Sequence, residues 1–481
     1  MIAILLKDVP FEQDIRELFM AFYPGETFVH EPDEQADIVF TAEKKENEIL
    51  MCMQFKGDAG KMREVRFSVD EGATRAETKN RIKRSVYIYL SRENKTELPW
   101  GTLTGIRPTR IALAELDKGR DPDDIRKELE SSYFTSESKA DLCVRTALHE
   151  KKVLDRMDFK NGWSLYIGIP FCPTTCLYCS FTSYPISKWK KKVNDYLDTL
   201  CRELAEVSNW MKDRKLETVY MGGGTPTSLE PENLDRILSC VEEHFDLSHL
   251  LELTVEAGRP DSITEEKLTV LKKHHVTRIS INPQTLKQET LDLIGRHHTV
   301  EMFIEKFRLA RSMGFDNINT DLIAGLPNET LEDIRHTMEG IKELAPDDVT
   351  VHSLAVKRAA RLNTKKEDYA DLKCTLTWDM INLTAAYAKS MGLEPYYLYR
   401  QKNMAGNFEN VGYCREGHEG LYNILIMEEK QIIVGCGAGT TSKIVYPDTD
   451  RIERIENVKD PAVYMERFDE MLDRKRKMLA K

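Results

Sequence analysis

The chain has 481 residues, enough for two or three domains and a substantial core. Its formal net charge is −11, which opposes general attraction to phosphate backbones, so no nucleic acid partner is expected. No run of about 18 apolar residues occurs, and Lys7 interrupts the opening apolar run too early for a secretory signal, so the expectation is a cytoplasmic protein with no membrane span.

Apolar runs predict strands over 1–6, 38–40 and 49–55, and helical spacing predicts an amphipathic helix over 11–22. Helical periodicity returns over 76–90 and again after Pro108, where Ile111, Leu113, Ala114 and Leu116 recur at helical spacing. Between these helices, the segment from Trp100 to Pro108 carries two glycines and a proline. That composition fits a turn, with a binding loop as the alternative because Thr and Arg cluster there. Residues 1–160 read as a small α/β accessory domain.

From Ser164 the pattern changes. Short β-branched runs at 165–169, 218–221, 251–255, 278–281, 318–323 and 349–354 alternate with helical stretches such as 193–210, 234–244 and 300–313. Such alternation argues repeated βα units on a parallel sheet. Six units over 161–363 predict an α/β fold with an open, partial (β/α)6 barrel. After about residue 364 the alternation ends in a helical stretch at 379–391 and an irregular tail, so 364–481 is expected to form a mainly helical C-terminal cover.

Ten cysteines occur, and only Cys172, Cys176 and Cys179 are clustered, in a C-x3-C-x2-C triplet directly after the first barrel strand. The scattered seven fit small buried apolar residues better than a disulfide framework. Structural zinc takes four protein ligands, and no Cys or His follows at zinc-like spacing. A 4Fe-4S cluster fits three thiolates better, because one iron then stays open to a ligand. A structural or disulfide role, or a redox C-x-x-C at Cys176 and Cys179, is the alternative. By the strand order, the triplet lies at the carboxyl edge of the sheet, where barrel enzymes keep their chemistry.

The next strand ends in Gly222-Gly223-Gly224-Thr225-Pro226, which is an ordinary tight turn or a backbone that can approach a ligand closely. Glu256, Gln284, Arg296 and Asp321 follow at or near successive strand ends. Taken singly, such residues are usually solvated or salt-bridged; in this order behind a cysteine triplet they form a pattern.

Cys172 to Cys179 match the radical S-adenosyl-L-methionine (SAM) signature. The run from Tyr166 to Cys172 resembles the Y-x-H-I-P-F-C form of the oxygen-independent coproporphyrinogen III oxidase family, and the N-terminal extension with Gly168 resembles its HemZ subgroup. The resemblance runs from about Leu165 to Ser442. It implies a cluster held by Cys172, Cys176 and Cys179, with Tyr178 beside the SAM adenine. It further implies that Gly223, Gly224 and Thr225 contact the methionyl amine, Glu256 and Arg296 hold the amino-acid end, and Gln284 and Asp321 face the ribose. Tyr166 in the first motif and Ala355, in the segment from Val351 that resembles H-x-S-x-Y-x-L, complete the expected cofactor contacts. Gly435 to Ser442 and Asn407-Phe408 resemble two further family elements.

Three departures stand out. Gly168 replaces the motif histidine, Phe181 replaces a fourth, near-cluster cysteine of the biosynthetic oxidases, and the family's E-A-N-P becomes Glu256-Ala257-Gly258-Arg259-Pro260. The resemblance implies SAM cleavage to a 5′-deoxyadenosyl radical and oxidative decarboxylation of coproporphyrinogen III to protoporphyrinogen IX. The alternatives are a haem-binding chaperone of the HemW type, or a radical methyltransferase or ring-opening enzyme acting on haem. A tetrapyrrole or haem and a low-potential electron donor are the expected partners. Arg358, Arg361, Arg400 and Arg415 are candidate propionate contacts, and surface arginine is the ordinary reading of each; His352, His418 and Cys414 are candidate haem ligands.

Overall fold

The computed structural model describes residues 1–57, 63–69, 72–355, 360–364, 372–401, 408–446, 449 and 451–479. They form two compact units, one of Met1–Ala147 with Leu398–Glu409 and one of Leu148–Tyr397 with Asn410–Lys481.

The first unit is built on strands β1 (Ile2–Lys7), β2 (Phe28–Val29), β3 (Ile38–Lys45), β4 (Glu48–Phe55) and β5 (Arg63–Ser68), in the order β2-β1-β3-β4-β5. β1 runs parallel to β2 and β3, while β3, β4 and β5 form an antiparallel meander. Alternation along β3 and β4 turns Ile38, Phe40, Ala42, Ile49, Met51 and Met53 inward. The helices Glu12–Phe22 and Arg75–Asn94 bury Ile15, Leu18, Phe19, Ile82, Val86 and Leu90 in the same core. Thr74 and Glu77 close a reciprocal capping box at the start of the second helix.

The segment after Leu98 is a turn built around buried Trp100. The indole N–H donates to Glu409 at 2.7 Å, Lys139 pairs with the same carboxylate, and the Arg400 guanidinium lies 5.5 Å from the ring centroid. Two helices, Pro122–Tyr133 and Glu137–Leu154, were not read from the sequence. The first carries a legible start signal, since Asp121 caps it with proline next.

The second unit contains β6 (Gly162–Ile169), the two-residue strands β7 (Phe171–Cys172) and β8 (Tyr184–Pro185), then β9 (Lys215–Gly223), β10 (Glu252–Glu256), β11 (Arg278–Ser280), β12 (Ile318–Ala324) and β13 (Asp348–Ser353). β6, β9, β10, β11, β12 and β13 are parallel and adjacent in that order, the expected six βα units in an open sheet. These strands are buried along nearly their whole length, as parallel strands covered on both faces must be. β10 begins one residue later than expected, leaving Leu251 52% exposed ahead of it.

The region after 364 departs from the expected mainly helical cover. Besides its helices it supplies β14 (Glu394–Tyr399), β15 (Asn410–Cys414), β16 (Ile432–Cys436), β17 (Thr441–Tyr446) and β18 (Arg451–Glu456) to the same sheet. The order becomes β14-β15-β13-β12-β11-β10-β9-β6-β16-β17-β18. β15 is antiparallel to β13, and β16 parallel to β6, so the tail extends both edges of the barrel sheet. Short strands with no intervening helical pattern resemble irregular chain in sequence; the edge partners that make them strands lie far away in the chain.

The tail also closes the amino-terminal edge. Glu252 accepts from the backbone N–H of Leu421 and Tyr422, and Arg278 pairs with Asp348, which also accepts from the Tyr396 hydroxyl. Tyr422 stacks on Tyr220, with ring centroids 4.6 Å apart, and on Tyr166 at 5.7 Å. No helix among the described residues is long and apolar enough to cross a membrane.

One buried cluster ties the last helix, Phe468–Leu479, to the sheet. Glu203, fully buried on the helix Val193–Met211, pairs with Lys475 and accepts from the Gly437 N–H, the Tyr464 hydroxyl and the Asn457 amide. Lys475→Met leaves that carboxylate without its cation, an arrangement that costs about 3–5 kcal/mol. The expected result is a lowered thermal midpoint, with Glu203→Gln in the same background restoring most of the loss.

Candidate active site

The cysteine loop leaves β6 at its carboxyl end. Gly168 lies in that strand, and a Cβ there would sit 2.5 Å from the Thr440 methyl. The side chain absent from Gly168 is thus replaced in space by Thr440, carried on the loop between β16 and β17. Beyond it, Cys172 lies in β7 beside Pro185, and its Sγ is 3.5 Å from the Thr225 hydroxyl. The loop is pinned twice to the turn after the helix Gln288–Leu293: the Leu177 N–H donates to the Ile294 carbonyl at 2.9 Å, and the Thr174 hydroxyl to the Gly295 carbonyl at 3.1 Å. Leu177 packs with Leu291, Ile294, Ile323 and Leu326, which fixes Cys176 and Cys179 on either side of it.

The glycine triplet ends β9 against this loop. The Gly224 N–H donates to the Ile169 carbonyl at 2.7 Å, and the Thr225 N–H to the Phe171 carbonyl at 2.7 Å. Gly223 has φ +112, which favours glycine, and a Cβ on Gly224 would lie 2.5 Å from the Phe171 carbonyl oxygen and 3.0 Å from Cys172 Sγ. Gly222 leaves room for Glu256, whose carboxyl carbon would be 2.9 Å from an added Cβ.

Glu256 ends β10 and accepts from the Tyr220 hydroxyl at 2.6 Å. Burial pushes its carboxyl up to about 7; the Tyr220 hydrogen bond opposes that rise and the charge of Asp321 adds to it. Burial acts the same way on Asp321, but the His352 imidazole nearby and the Asn319 amide hold its carboxyl below its ordinary value. Its carboxylate accepts from Asn282 at 2.8 Å and Asn319 at 2.7 Å, with His352 Nε2 3.8 Å away. Gln284 has φ +71, a strained conformation for a residue with a side chain, and bridges Leu322.

Arg296 donates to the Tyr178 hydroxyl at 3.0 Å, to the Gly258 carbonyl at 3.1 Å and to the Asn282 carbonyl at 2.5 Å. Contacts therefore run from Tyr178 through Arg296 and Asn282 to Asp321 and His352. Ala355 lies two residues beyond β13 at the same edge. Asn282 was missed in the sequence although it stands next to the end of β11; the strand-end rule that found Gln284 would have found it.

Several candidates lie elsewhere. Register pairs Cys414 with Asp348 at the amino-terminal start of β13, so Cys414, Arg415 and His418 belong to the edge opposite the cysteine loop. There His149 bonds to Glu419 at 2.7 Å and to the Pro395 carbonyl at 3.2 Å, with Cys414 in the same group. Arg400 is buried in the first unit, its guanidinium donating to the Leu103 carbonyl. Arg358 and Asn407 lie outside the described residues. Exposed Arg361 begins the short helix Arg361–Thr364, and the Leu362 N–H donates to the Leu177 carbonyl at 3.0 Å, beside the cysteine loop. Phe181 is 72% exposed.

The residues fit a three-thiolate cluster and SAM. Burial pushes the Cys172 thiol up to about 12 and raises Cys179, so these two free thiols are neutral and metal binding to them must displace protons. Arg296 Nε and Gln284 Oε1 are buried with no protein partner, polar groups that a ligand can satisfy.

Two outcomes follow. In the ligand-free protein the raised Glu256 carboxyl gives stability that is present below its ordinary value of 4.5 and lost as pH rises through about 7. The loss is on the order of 1.4 kcal/mol per pH unit within that window, and Glu256→Gln should flatten this part of the thermal midpoint measured against pH. Gly224→Ala should lower the iron bound per chain after anaerobic reconstitution, because its methyl meets backbone and Cys172 Sγ.

Residues 166–341 match the radical SAM superfamily. The chain is 39% identical, over 98% of its length and 96% of the relative's, to the oxygen-independent coproporphyrinogen-III oxidase-like protein HemZ of Bacillus subtilis (strain 168). It is 37% identical to the heme chaperone HemW of the same organism, over 40% of this chain and 51% of that one. Among solved structures it is similar in fold to coproporphyrinogen III oxidase (HemN) from Escherichia coli, with TM-score 0.53 and 24% identity over 68% of this chain and 73% of that one. The cofactors are those of the superfamily, a 4Fe-4S cluster and SAM. The chain belongs to the oxygen-independent coproporphyrinogen III oxidase-like family of radical SAM proteins.

Proposed function

We propose that this chain oxidatively decarboxylates two propionate side chains of coproporphyrinogen III, giving the vinyl groups of protoporphyrinogen IX. The observation that carries the reading is the match along nearly the whole chain, including the residues ahead of the barrel, to a relative named as oxidase-like. When bound, the cluster and SAM supply a carbon radical that takes hydrogen from an unactivated C–H bond.

The protein's part is placement. Glu256, once ionised, pairs with the methionyl amine. Arg296 has an unsatisfied Nε–H that donates to a carboxylate partner, and Asp321 with Gln284 presents acceptors to ribose hydroxyls. His352 and Asn319 keep Asp321 ionised, and Asn282 and Asn319 aim it. Of the candidate arginines among the described residues, Arg361, beside the cysteine loop, is the propionate contact. An external low-potential one-electron donor feeds the cleavage of SAM, and a one-electron acceptor takes the electron that each substrate radical gives up as it loses CO2 and becomes a vinyl group.

A second reading, haem-binding chaperone, is favoured by one residue. Phe181 stands where the biosynthetic oxidases carry a near-cluster cysteine, and a relative at 37% identity is named a heme chaperone. His352 is then the haem ligand to test.

The deciding experiment is an anaerobic assay of the iron-reconstituted protein with SAM, reductant and coproporphyrinogen III, following 5′-deoxyadenosine, CO2 and porphyrin by mass spectrometry. The oxidase reading expects deoxyadenosine with loss of two carboxyl groups, abolished in Cys176→Ala. Deoxyadenosine without decarboxylation rejects this substrate, and haem titration of the wild type and His352→Ala then decides the second reading.

A further inference from the structure

Arg259 occupies the altered loop after β10, in the Glu256-Ala257-Gly258-Arg259-Pro260 run that departs from the family pattern. It is 3% exposed, too deeply buried for an ordinary surface arginine. One edge of its guanidinium is locked by Asp261 two residues on: Nε donates to Oδ1 at 2.9 Å and one terminal nitrogen to Oδ2 at 2.8 Å. This two-bond fork fixes the plane of the group. The remaining terminal nitrogen points at the cysteine loop, 3.2 Å from the Thr174 hydroxyl and 3.5 Å from Cys176 Sγ. Thr174 is itself held by the Gly295 carbonyl, and the Ser262 hydroxyl donates to the Arg259 carbonyl at 2.7 Å, so both sides of the contact are braced.

We propose that Arg259 is a positioning and tuning residue that donates a charge-assisted hydrogen bond to the Cys176 sulfur of the bound cluster and raises the cluster's reduction potential. The inference rests on the assignment of the cluster to Cys172, Cys176 and Cys179, and not on the identity of the tetrapyrrole. Reduction adds one electron from an external low-potential donor; no bond forms or breaks and no proton moves. The added negative charge is shared by the cysteine sulfurs, so a donor held against one of them favours the reduced state. The Asp261 carboxylate is bound to the far edge of the guanidinium, which leaves the positive end nearer the sulfur. The consequence is that a milder electron donor suffices for this site than for one without the arginine.

The test compares wild type, Arg259→Gln and Arg259→Lys after anaerobic reconstitution, with iron and sulfide counted and the midpoint read by electron paramagnetic resonance in a mediated dithionite titration. With equal iron content, Arg259→Gln should show a reduced-to-oxidised ratio about tenfold lower at any fixed potential, about 59 mV for a one-electron couple. Arg259→Lys, which keeps the charge but loses the fork, should shift less in the same direction. A fully loaded Arg259→Gln protein with an unmoved midpoint overturns the proposal. If that variant does not load iron, Arg259→Lys decides: a lowered midpoint supports the proposal and an unchanged one overturns it. Wild-type protein that takes up no cluster overturns the assignment of the three cysteines, and this inference with it.

Discussion

Parallel pairing is the constraint on which the site depends. Because β6, β9, β10, β11, β12 and β13 run in one direction and pair in sequence order, every strand delivers its last residues to the same edge. The cysteine loop, the glycine triplet, Glu256, Asn282, Gln284 and the residues after Asp321 meet there although more than a hundred residues separate the first from the last. No single local motif brings them together. The strand ladder does, and side chains at the strand ends inherit their positions from it.

At that edge, polar groups are held by one another. Arg296 reaches Tyr178 and two backbone carbonyls, Asn282 ties the same carbonyl network to Asp321, and Arg259 is clamped by Asp261 against Cys176. Buried polar groups arranged this way have little freedom to reorganise, which preorganises the edge for a charged ligand. The opposing behaviour of Glu256 and Asp321 follows from their partners. Both are half-buried carboxyls, but Asp321 has His352 and two amides around it, whereas Glu256 has one tyrosine hydroxyl and a neighbouring negative charge.

The amino-terminal edge serves a different purpose. Glu252 and Tyr396 bind the segment that starts the helix Leu421–Glu428, Asp348 in turn accepts from Tyr396 and pairs with Arg278, and Tyr422 stacks with Tyr220 and Tyr166 on inner strand positions. The tail therefore closes one end of the sheet and leaves the other to chemistry. Its strands also lengthen the sheet on both sides, so the carboxyl-edge loop carrying Thr440 fills the space left by Gly168. A substitution that looks like a loss in the cysteine motif is thus matched by a threonine some 270 residues away.

By itself the sequence determined the family, its cofactors and most of the barrel. The C-x3-C-x2-C spacing, the glycine triplet and the alternation of β-branched runs with helical stretches are local signals, and local signals survive without a partner. The capping residue Asp121 was equally legible and was passed over. Tertiary structure alone decided what depends on distant pairing. It made strands of β14 to β18, put Cys414 and Arg415 at the edge away from the cysteines, and buried Arg400 against Trp100. It also turned Arg259 toward Cys176. A residue type records what a side chain can do, but whether an arginine meets a propionate, a carbonyl or a cluster sulfur depends on which backbone the rest of the chain brings to within hydrogen-bonding distance.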